Sequence, residues 1–331
     1  MAFLLVYREN LTLDCISLPR RLVLKKPKLV ITGAAGFIGS ALSNSLLEKY
    51  DVFAIDDLTS GSWTRLDPSI ERVEMDLASA SLDGLLDVFA GAEKICHLAA
   101  VKLNNPTQNS DRMIDTNIRA TRNIFEAAGI SGVKKVLFTS SLYAYGSMGP
   151  AIMSELEIPS PTTLYGMTKL IGEQMLNTAA EKYHFEVVIP RLFFIYGPGQ
   201  YMDGGYKSVI VKNCEQLNLG LPATINGDGK QALDYVFIDD CVEGLNCLLE
   251  KGITGVMNLS SGVPRSVNTI VDTLVSFSSV SKTDYLDADW TAGSTRFGAN
   301  ERIHTLSGWT PTTSFSDGLK QTWEFYATLK R

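Results

Sequence analysis

Thr32-Gly33-Ala34-Ala35-Gly36-Phe37-Ile38-Gly39 lies between a β-rich run, Lys28-Leu29-Val30-Ile31-Thr32, and a helical stretch, Phe37 to Tyr50. Three glycines at this spacing have mechanical uses. Gly33 allows a tight turn, Gly36 lets the backbone approach a pyrophosphate, and Gly39 lets helix and strand pack closely. The helix N-terminus adds free N–H groups and a partial positive charge for phosphates. Glycines also mark ordinary turns, so the setting matters. Here a strand precedes, a helix follows, and the next strand (Asp51 to Asp56) ends in an acid seventeen residues beyond Gly39. A carboxylate there accepts both adenosine-ribose hydroxyls and repels a 2′-phosphate, which points to NAD over NADP. A turn or capping role suits the adjacent Asp57 better than it suits Asp56.

Working outward, strand and helix alternate. Strands are expected at Arg72 to Met75, Lys94 to Leu98, Lys135 to Thr139 and Glu186 to Ile189, with helices at Ser81 to Ala90, Asp111 to Ala128 and Leu164 to Tyr183. Strands apolar on both faces and separated by helices call for a parallel sheet covered on each side. Right-handed crossovers then give a doubly wound, Rossmann-type α/β fold. After residue 190 the chain turns richer in Gly and Pro, from Tyr196-Gly197-Pro198-Gly199 through Gly227-Asp228-Gly229. The expected organisation is an N-terminal extension (1–27), a dinucleotide-binding domain (28–190) and a smaller α/β substrate lobe (191–331), with segments near 235–260 returning to the large domain.

Composition excludes several classes. Of 331 residues, 45% are hydrophobic and 20% charged, as in soluble globular chains and unlike disordered ones. A net charge of -6 leaves no basic footprint for nucleic acid. The five cysteines (Cys15, Cys96, Cys214, Cys241, Cys247) form no C-x-x-C, which suits a reducing, cytoplasmic setting. None of the three histidines stands near a cysteine pair, so no metal is expected. Met1 to Tyr7 is apolar but too short to span a bilayer, and no membrane partner is expected.

Tyr165-Gly166-Met167-Thr168-Lys169 places a tyrosine and a lysine at i and i+4, on one helix face. The ammonium is expected to lower the phenol pKa from about 10 toward working pH, so that Tyr165 can exchange a proton with a sugar hydroxyl or ketone. Y-x-x-x-K is common by chance, and a third element decides. Thr139-Ser140-Ser141 ends a strand twenty-four residues earlier, on the side where strand ends face the ligand crevice of an open sheet.

With these residues in place, the chain resembles the extended short-chain dehydrogenase/reductases, in their UDP-glucose 4-epimerase-like branch, over about residues 28 to 327. T-G-x-x-G-F-I-G is Thr32 to Gly39, and the family's acid is Asp56, with Asp57 beside it. Its adenine-holding pair is Asp76-Leu77. Its H-x-A-A-x-K segment is His97-Leu98-Ala99-Ala100-Val101-Lys102, where Lys102 would reach the nicotinamide ribose and substrate. Asn117 takes the Asn of the following helix. S-x-x-V-Y-G is Ser141 to Gly146, making Ser141, Tyr165 and Lys169 the implied catalytic set, with Thr139 at the cofactor. Arg191 to Pro198 is similar to R-x-F-N-x-Y-G-P and puts Phe193 near the nicotinamide. Three departures fall on nucleotide-sugar donors. The family's Asn is Phe194, its Arg after G-D-G-x-Q is Leu233, and its late Arg-x-Gly-Asp is Thr291-Ala292-Gly293-Ser294. Each lost charge-assisted contact costs roughly 1.5–3 kcal/mol. Arg296 or Lys207 would have to replace them.

The resemblance implies NAD as cofactor, a nucleotide-diphosphate sugar as substrate and a homodimer built on the two long helices. A 4-epimerase working through a transient 4-keto sugar is the leading reading. A reductase of a 4-keto-sugar nucleotide would use the same triad with NADPH, which Asp56 disfavours. A 4,6-dehydratase needs an Asp and a Glu after the hydroxyl, where Leu142 and Tyr143 stand. A non-catalytic NAD-binding protein would have no need of the Ser–Tyr–Lys set.

Overall fold

The structure is a computed structural model that describes residues 25–102, 110–146, 152–200, 207–289 and 291–329. Most of the expected N-terminal extension, residues 1–24, lies outside the described residues, and Cys15 with it. The elements run β1 (Lys28–Thr32), α1 (Phe37–Ser45), β2 (Asp51–Asp56), β3 (Glu71–Glu74), α2 (Leu82–Phe89), β4 (Ala92–His97), α3 (Ser110–Ile114), α4 (Thr121–Ile130), β5 (Lys135–Phe138) and β6 (Ser140–Ser141). They continue with α5 (Leu164–Tyr183), β7 (Glu186–Leu192), β8 (Phe194–Tyr196), α6 (Val209–Asn218), β9 (Ala223–Asn226), β10 (Ala232–Phe237), α7 (Ile238–Glu250) and β11 (Gly255–Leu259). Last come β12 (Pro264–Ser266), α8 (Val267–Ser276), β13 (Thr283–Leu286), β14 (Thr295–Arg296), α9 (Glu301–Ser307) and α10 (Phe315–Thr328).

The main sheet has the order β11-β7-β5-β4-β1-β2-β3, all parallel, with β6 extending β5's line against β7. This is a doubly wound α/β sheet. Its order reverses between β1 and β4, and ligands of such sheets bind beyond the strand ends at that point. The buried pattern of β1 (Leu29, Val30, Ile31 and Thr32 all buried) explains why an unbroken apolar run, and not an alternating one, marks the central strand. One apolar cluster (Leu29, Ile31, Leu42, Leu245) packs α1 and α7 on one face, and another (Val30, Ile95, Phe125, Leu176) packs α4 and α5 on the other. Beyond β7 the chain adds a four-stranded sheet of β12-β10-β14 with β8, and the pair β13-β9.

Two local outcomes differ from the sequence reading. Helix α1 ends at Ser45 and not at Tyr50. The Ser45 hydroxyl donates back to the Leu42 carbonyl and the chain tightens to an i→i−3 bond at Leu46, so the side chains compete with the ladder. The stretch expected as one helix from Asp111 to Ala128 is helical, but residues Asp115–Ala120 form a π-helical turn. Asp239-Asp240 does not cap α7, whose N-cap is Phe237 with no side-chain bond. Asp240 instead accepts the backbone N–H groups of Thr312 and Thr313, while its carbonyl accepts the indole N–H of Trp309. The acid thus fixes the Gly308-Trp309-Thr310-Pro311 segment against the core.

Candidate active site

The glycine turn is tight for steric reasons. Gly33 has φ +69°, and a Cβ there would lie 2.7 Å from the Ala99 nitrogen. A Cβ on Gly39 would lie 2.0 Å from the Gly33 carbonyl oxygen, so the start of α1 (Phe37, Ile38) can approach β1 only with glycine there. Leu98 and Ala99 close the other side, their N–H groups bonded to the Thr32 carbonyl and hydroxyl, and Ala100 follows them. The Asp56 carboxylate, nearly buried, accepts the N–H of Ala35 and of Leu58. Burial raises its pKa and those backbone bonds oppose the rise. The acid is therefore locked to the glycine turn with lone pairs to spare. These residues fit a dinucleotide: a backbone cradle for phosphates ahead of a helix, and an ordered acceptor at ribose distance along the sheet edge.

An ion-paired arginine, unforeseen from sequence, sits at the same end. Arg112 bonds Asp57 and Asp76 at 2.8 Å each, joining the loops after β2 and β3. Asp57 also accepts the Thr59 N–H in a local turn, and Leu77 is buried beside Asp76. The signal was hidden because the partners lie 55 and 36 residues away.

The three expected reactive side chains do come together. Ser141, buried at the end of β6, accepts the Tyr143 N–H, and its hydroxyl is near enough to Tyr165 to act on the phenol's pKa. Thr163 caps α5 through the N–H of Gly166, which starts the helix beside that strand end. Gly166 allows this approach, since a Cβ there would lie 2.2 Å from the Tyr143 carbonyl oxygen. The Lys169 ammonium donates to the Thr139 carbonyl at 2.8 Å and lies 5.9 Å from the Tyr165 ring centroid. The electrostatics overturn one expectation. Burial raises the Tyr165 pKa, the Tyr143 phenol adds to the rise, and the Ser141 bond only opposes it. Burial also pushes Lys169 down to about 7, with Glu173 acting the other way. In the protein alone desolvation therefore sets the direction of the phenol's shift.

That shift has a thermodynamic consequence. An unfolded lysine titrates near its ordinary 10.5, so between about pH 7 and 10.5 the unfolded chain binds the extra proton and stability rises with pH. Wild type is expected to gain several degrees in Tm relative to Lys169→Met when melting is followed from pH 6 to pH 10. A difference independent of pH would show that Lys169 is not desolvated as described.

The remaining candidates separate. The Asn117 side chain, turned inward by the π-helical turn, bonds Val101 N at 2.8 Å, Val101 O at 2.9 Å and Thr168 Oγ1 at 3.1 Å. It so ties the Lys102 loop to α5. Lys102 is exposed as a residue, with its ammonium turned back 5.7 Å from the Tyr143 ring centroid, where desolvation lowers its pKa. Phe193 is buried against Gly298, and Phe194 meets Tyr235 at 5.7 Å between centroids. Arg296 pairs in register with Leu233, and burial lowers its pKa while the nearby Tyr143 opposes the shift. Lys207 is ion-paired with Glu215 at 2.5 Å, which takes up its charge. His97 is wholly buried between Thr32 (2.6 Å) and Thr121 (2.9 Å), and burial lowers its pKa to about 3. That neutral, doubly bonded ring is a structural joint. A cavity of about 640 Å³ lies apart from the triad, between α1, the loop at Ser60 and α10. Among the described residues no His, Cys, Asp and Glu cluster could hold a metal, and no helix is long and apolar enough to cross a membrane.

Comparison with known proteins agrees with this geometry. Residues 29–260 match the NAD dependent epimerase/dehydratase family. The chain is 30% identical to the UDP-glucose 4-epimerase of Mycolicibacterium smegmatis, over 90% of this chain and 98% of that one. Among solved structures it is similar to the UDP-glucose 4-epimerase of Thermotoga maritima with UDP-glucose (29% identity, TM-score 0.85, covering 90% of this chain and 98% of that one). It is also similar to the UDP-glucuronic acid 4-epimerase of Bacillus cereus in complex with UDP-glucuronic acid and NAD (29%, TM-score 0.81, 92% and 100%).

Proposed function

The chain belongs to the NAD dependent epimerase/dehydratase family, and from that premise we propose that it is an NAD-dependent 4-epimerase of a nucleotide-diphosphate sugar. The observation that carries this reading is the meeting of Ser141, Tyr165 and Lys169 at the C-terminal ends of the parallel strands, the same edge of the sheet that carries the glycine turn after β1. NAD, when bound, supplies hydride acceptance and return at the sugar carbon. Gly36 and the start of α1, brought close by Gly33 and Gly39, would cradle its phosphates, Asp56 would hold its ribose, and Asp76 and Leu77 its adenine. Tyr165 takes the proton of the C4 hydroxyl and gives it back, Ser141 holds the same oxygen, and Lys169 holds the nicotinamide ribose while its charge favours the phenolate. Residues 28–190 serve the cofactor and residues 191–331 the sugar nucleotide. Nuclear magnetic resonance of UDP-hexoses incubated with the protein and NAD is expected to reveal the C4 epimer without net NADH. Steady accumulation of NADH or of a deoxy-keto sugar would favour a reductase or dehydratase.

Asp56 sets the cofactor. We expect NAD to bind at least tenfold more tightly than NADP, about 1.4 kcal/mol, because a 2′-phosphate would meet a carboxylate already fixed by Ala35 and Leu58. Calorimetric titration with both cofactors checks this, and equal affinity would contradict it. The protein is further read as a cytoplasmic homodimer. Met167 and Ile171 on α5 and Ile114 on α3 are exposed apolar side chains on the two long helical segments, as a shared helix-packing face requires. Light scattering at micromolar concentration distinguishes a dimer from a 36.2 kDa monomer.

A further inference from the structure

Beyond the ends of β2 and β3 one side chain ties three segments together. Arg112 Nη2 donates to Asp57 Oδ2 and Arg112 Nη1 to Asp76 Oδ2, at 2.8 Å each. The other oxygen of each carboxylate is taken by its own loop. Asp57 Oδ1 accepts the Thr59 N–H at 2.9 Å, and Asp76 Oδ1 accepts the Ala78 N–H at 3.0 Å. The guanidinium therefore bridges two loop backbones through arms that are themselves fixed. It is carried by an anchored element. Helix α3 runs on into the π-helical turn, whose Asn117 is bonded to Val101 and to Thr168 of α5.

Strand pairing does not need this tie. Strands β2 and β3 are in register from Phe53 with Glu71 to Asp56 with Glu74, and the Met75 N–H donates to the Asp56 carbonyl just past that ladder. Arg112 acts further out, on the crevice side, through the residue that follows Asp56. In a doubly wound sheet that edge receives the adenosine half of a dinucleotide, and a carboxylate at the end of the second strand marks its ribose.

We propose that Arg112 is a clasp on the adenosine half of the cofactor site, closing the loops after β2 and β3 on a bound NAD and slowing its release. This deepens the NAD-dependent reading above and rests on it. A site that removes and returns hydrogen at one sugar carbon gains from a dinucleotide that stays bound between the two events. Electrostatics give the clasp its signature. The bond to Arg112 holds the Asp76 carboxyl below the ordinary carboxylate range, so that pair is fully charged at neutral pH. The three side chains are between 29% and 38% exposed, and pairs so placed are individually weak and screened by salt.

The test loads the protein with NADH and follows its fluorescence by stopped flow after mixing with excess NAD. Arg112→Gln is expected to release NADH about tenfold faster than wild type at about 0.02 M salt, the difference falling below about threefold at about 1 M. Association should stay within about threefold of wild type, because the clasp acts on the bound state. Arg112→Lys keeps the charge and loses the fork, so its release rate should lie between the two, and it carries the comparison should the Gln variant misfold. In an Asp57→Asn background the Arg112→Gln effect should shrink, since one arm of the clasp is already gone. Equal release from wild type and Arg112→Gln, with NADH bound to both, would overturn the proposal and leave the NAD reading standing. So would a faster release that is the same at both salt concentrations, the mark of a general loosening of the fold. A wild-type protein that binds no NADH would remove both readings together.

Discussion

Tyr165→Phe is expected to lower turnover on the protein's own sugar nucleotide by about 10²–10⁴-fold, the usual loss when a positioned acid–base group is removed. The ring itself should stay in place. Its packing against Tyr143 and the fixed start of α5 at Thr163 and Gly166 do not involve the hydroxyl. NAD affinity should survive, because the glycine turn and Asp56 bind the other end of the cofactor. Ser141→Ala should be milder, since it removes a hydrogen bond to the reacting oxygen but no proton acceptor. The measurement is kcat together with a cofactor titration on each variant. Near-normal turnover in Tyr165→Phe would remove the base from the account.

The second large effect concerns stability. Behind the site, Arg191 and Glu173 form a bidentate pair at 2.9 and 2.7 Å with side chains only 3% and 5% exposed. Ser140 donates to the same carboxylate, and the guanidinium lies 4.5 Å from the Tyr145 ring centroid, whose hydroxyl bonds Asn258. The pair joins the helix of Tyr165 and Lys169 to β7, the strand paired with the one that ends in Ser141. Glu173→Gln leaves a buried guanidinium without its counter-charge, and such breakage typically costs about 3–5 kcal/mol. Replacing both residues by methionine should recover much of the loss, because neither charge is then stranded. Denaturant unfolding of Glu173→Met, Arg191→Met and the double variant measures the coupling. A Glu173→Gln loss below 1 kcal/mol would mean the charges are better solvated than this geometry implies.

The sequence was most readable where function constrains the backbone. Gly33 and Gly39 are dictated by contacts too short for any side chain, and Asp56 stands at a strand end that short-range pattern locates. The triad was readable because Tyr165 and Lys169 share a helix face and Ser141 closes a recognisable strand. What escaped were encounters between segments far apart in the chain. Arg112 with Asp57 and Asp76, and Tyr143 with Lys102 and Arg296, depend on how loops return over the sheet, and no local period records that. Arg296 illustrates this, since it comes beside Tyr143 only through the β14–β10 register. The Tyr165 pKa was misjudged because spacing reveals the neighbouring ammonium but not the burial of both groups, nor that Lys169 donates to the Thr139 carbonyl.

The central claim is that one site removes and returns hydrogen at C4 of the same sugar. A UDP-hexose carrying deuterium at C4, incubated with the NAD-loaded protein and followed by nuclear magnetic resonance, tests it directly. The account predicts that the C4 epimer forms with the deuterium still at C4 and no net change in NADH absorbance. Loss of the label to solvent, or its permanent transfer to the cofactor, would contradict the account.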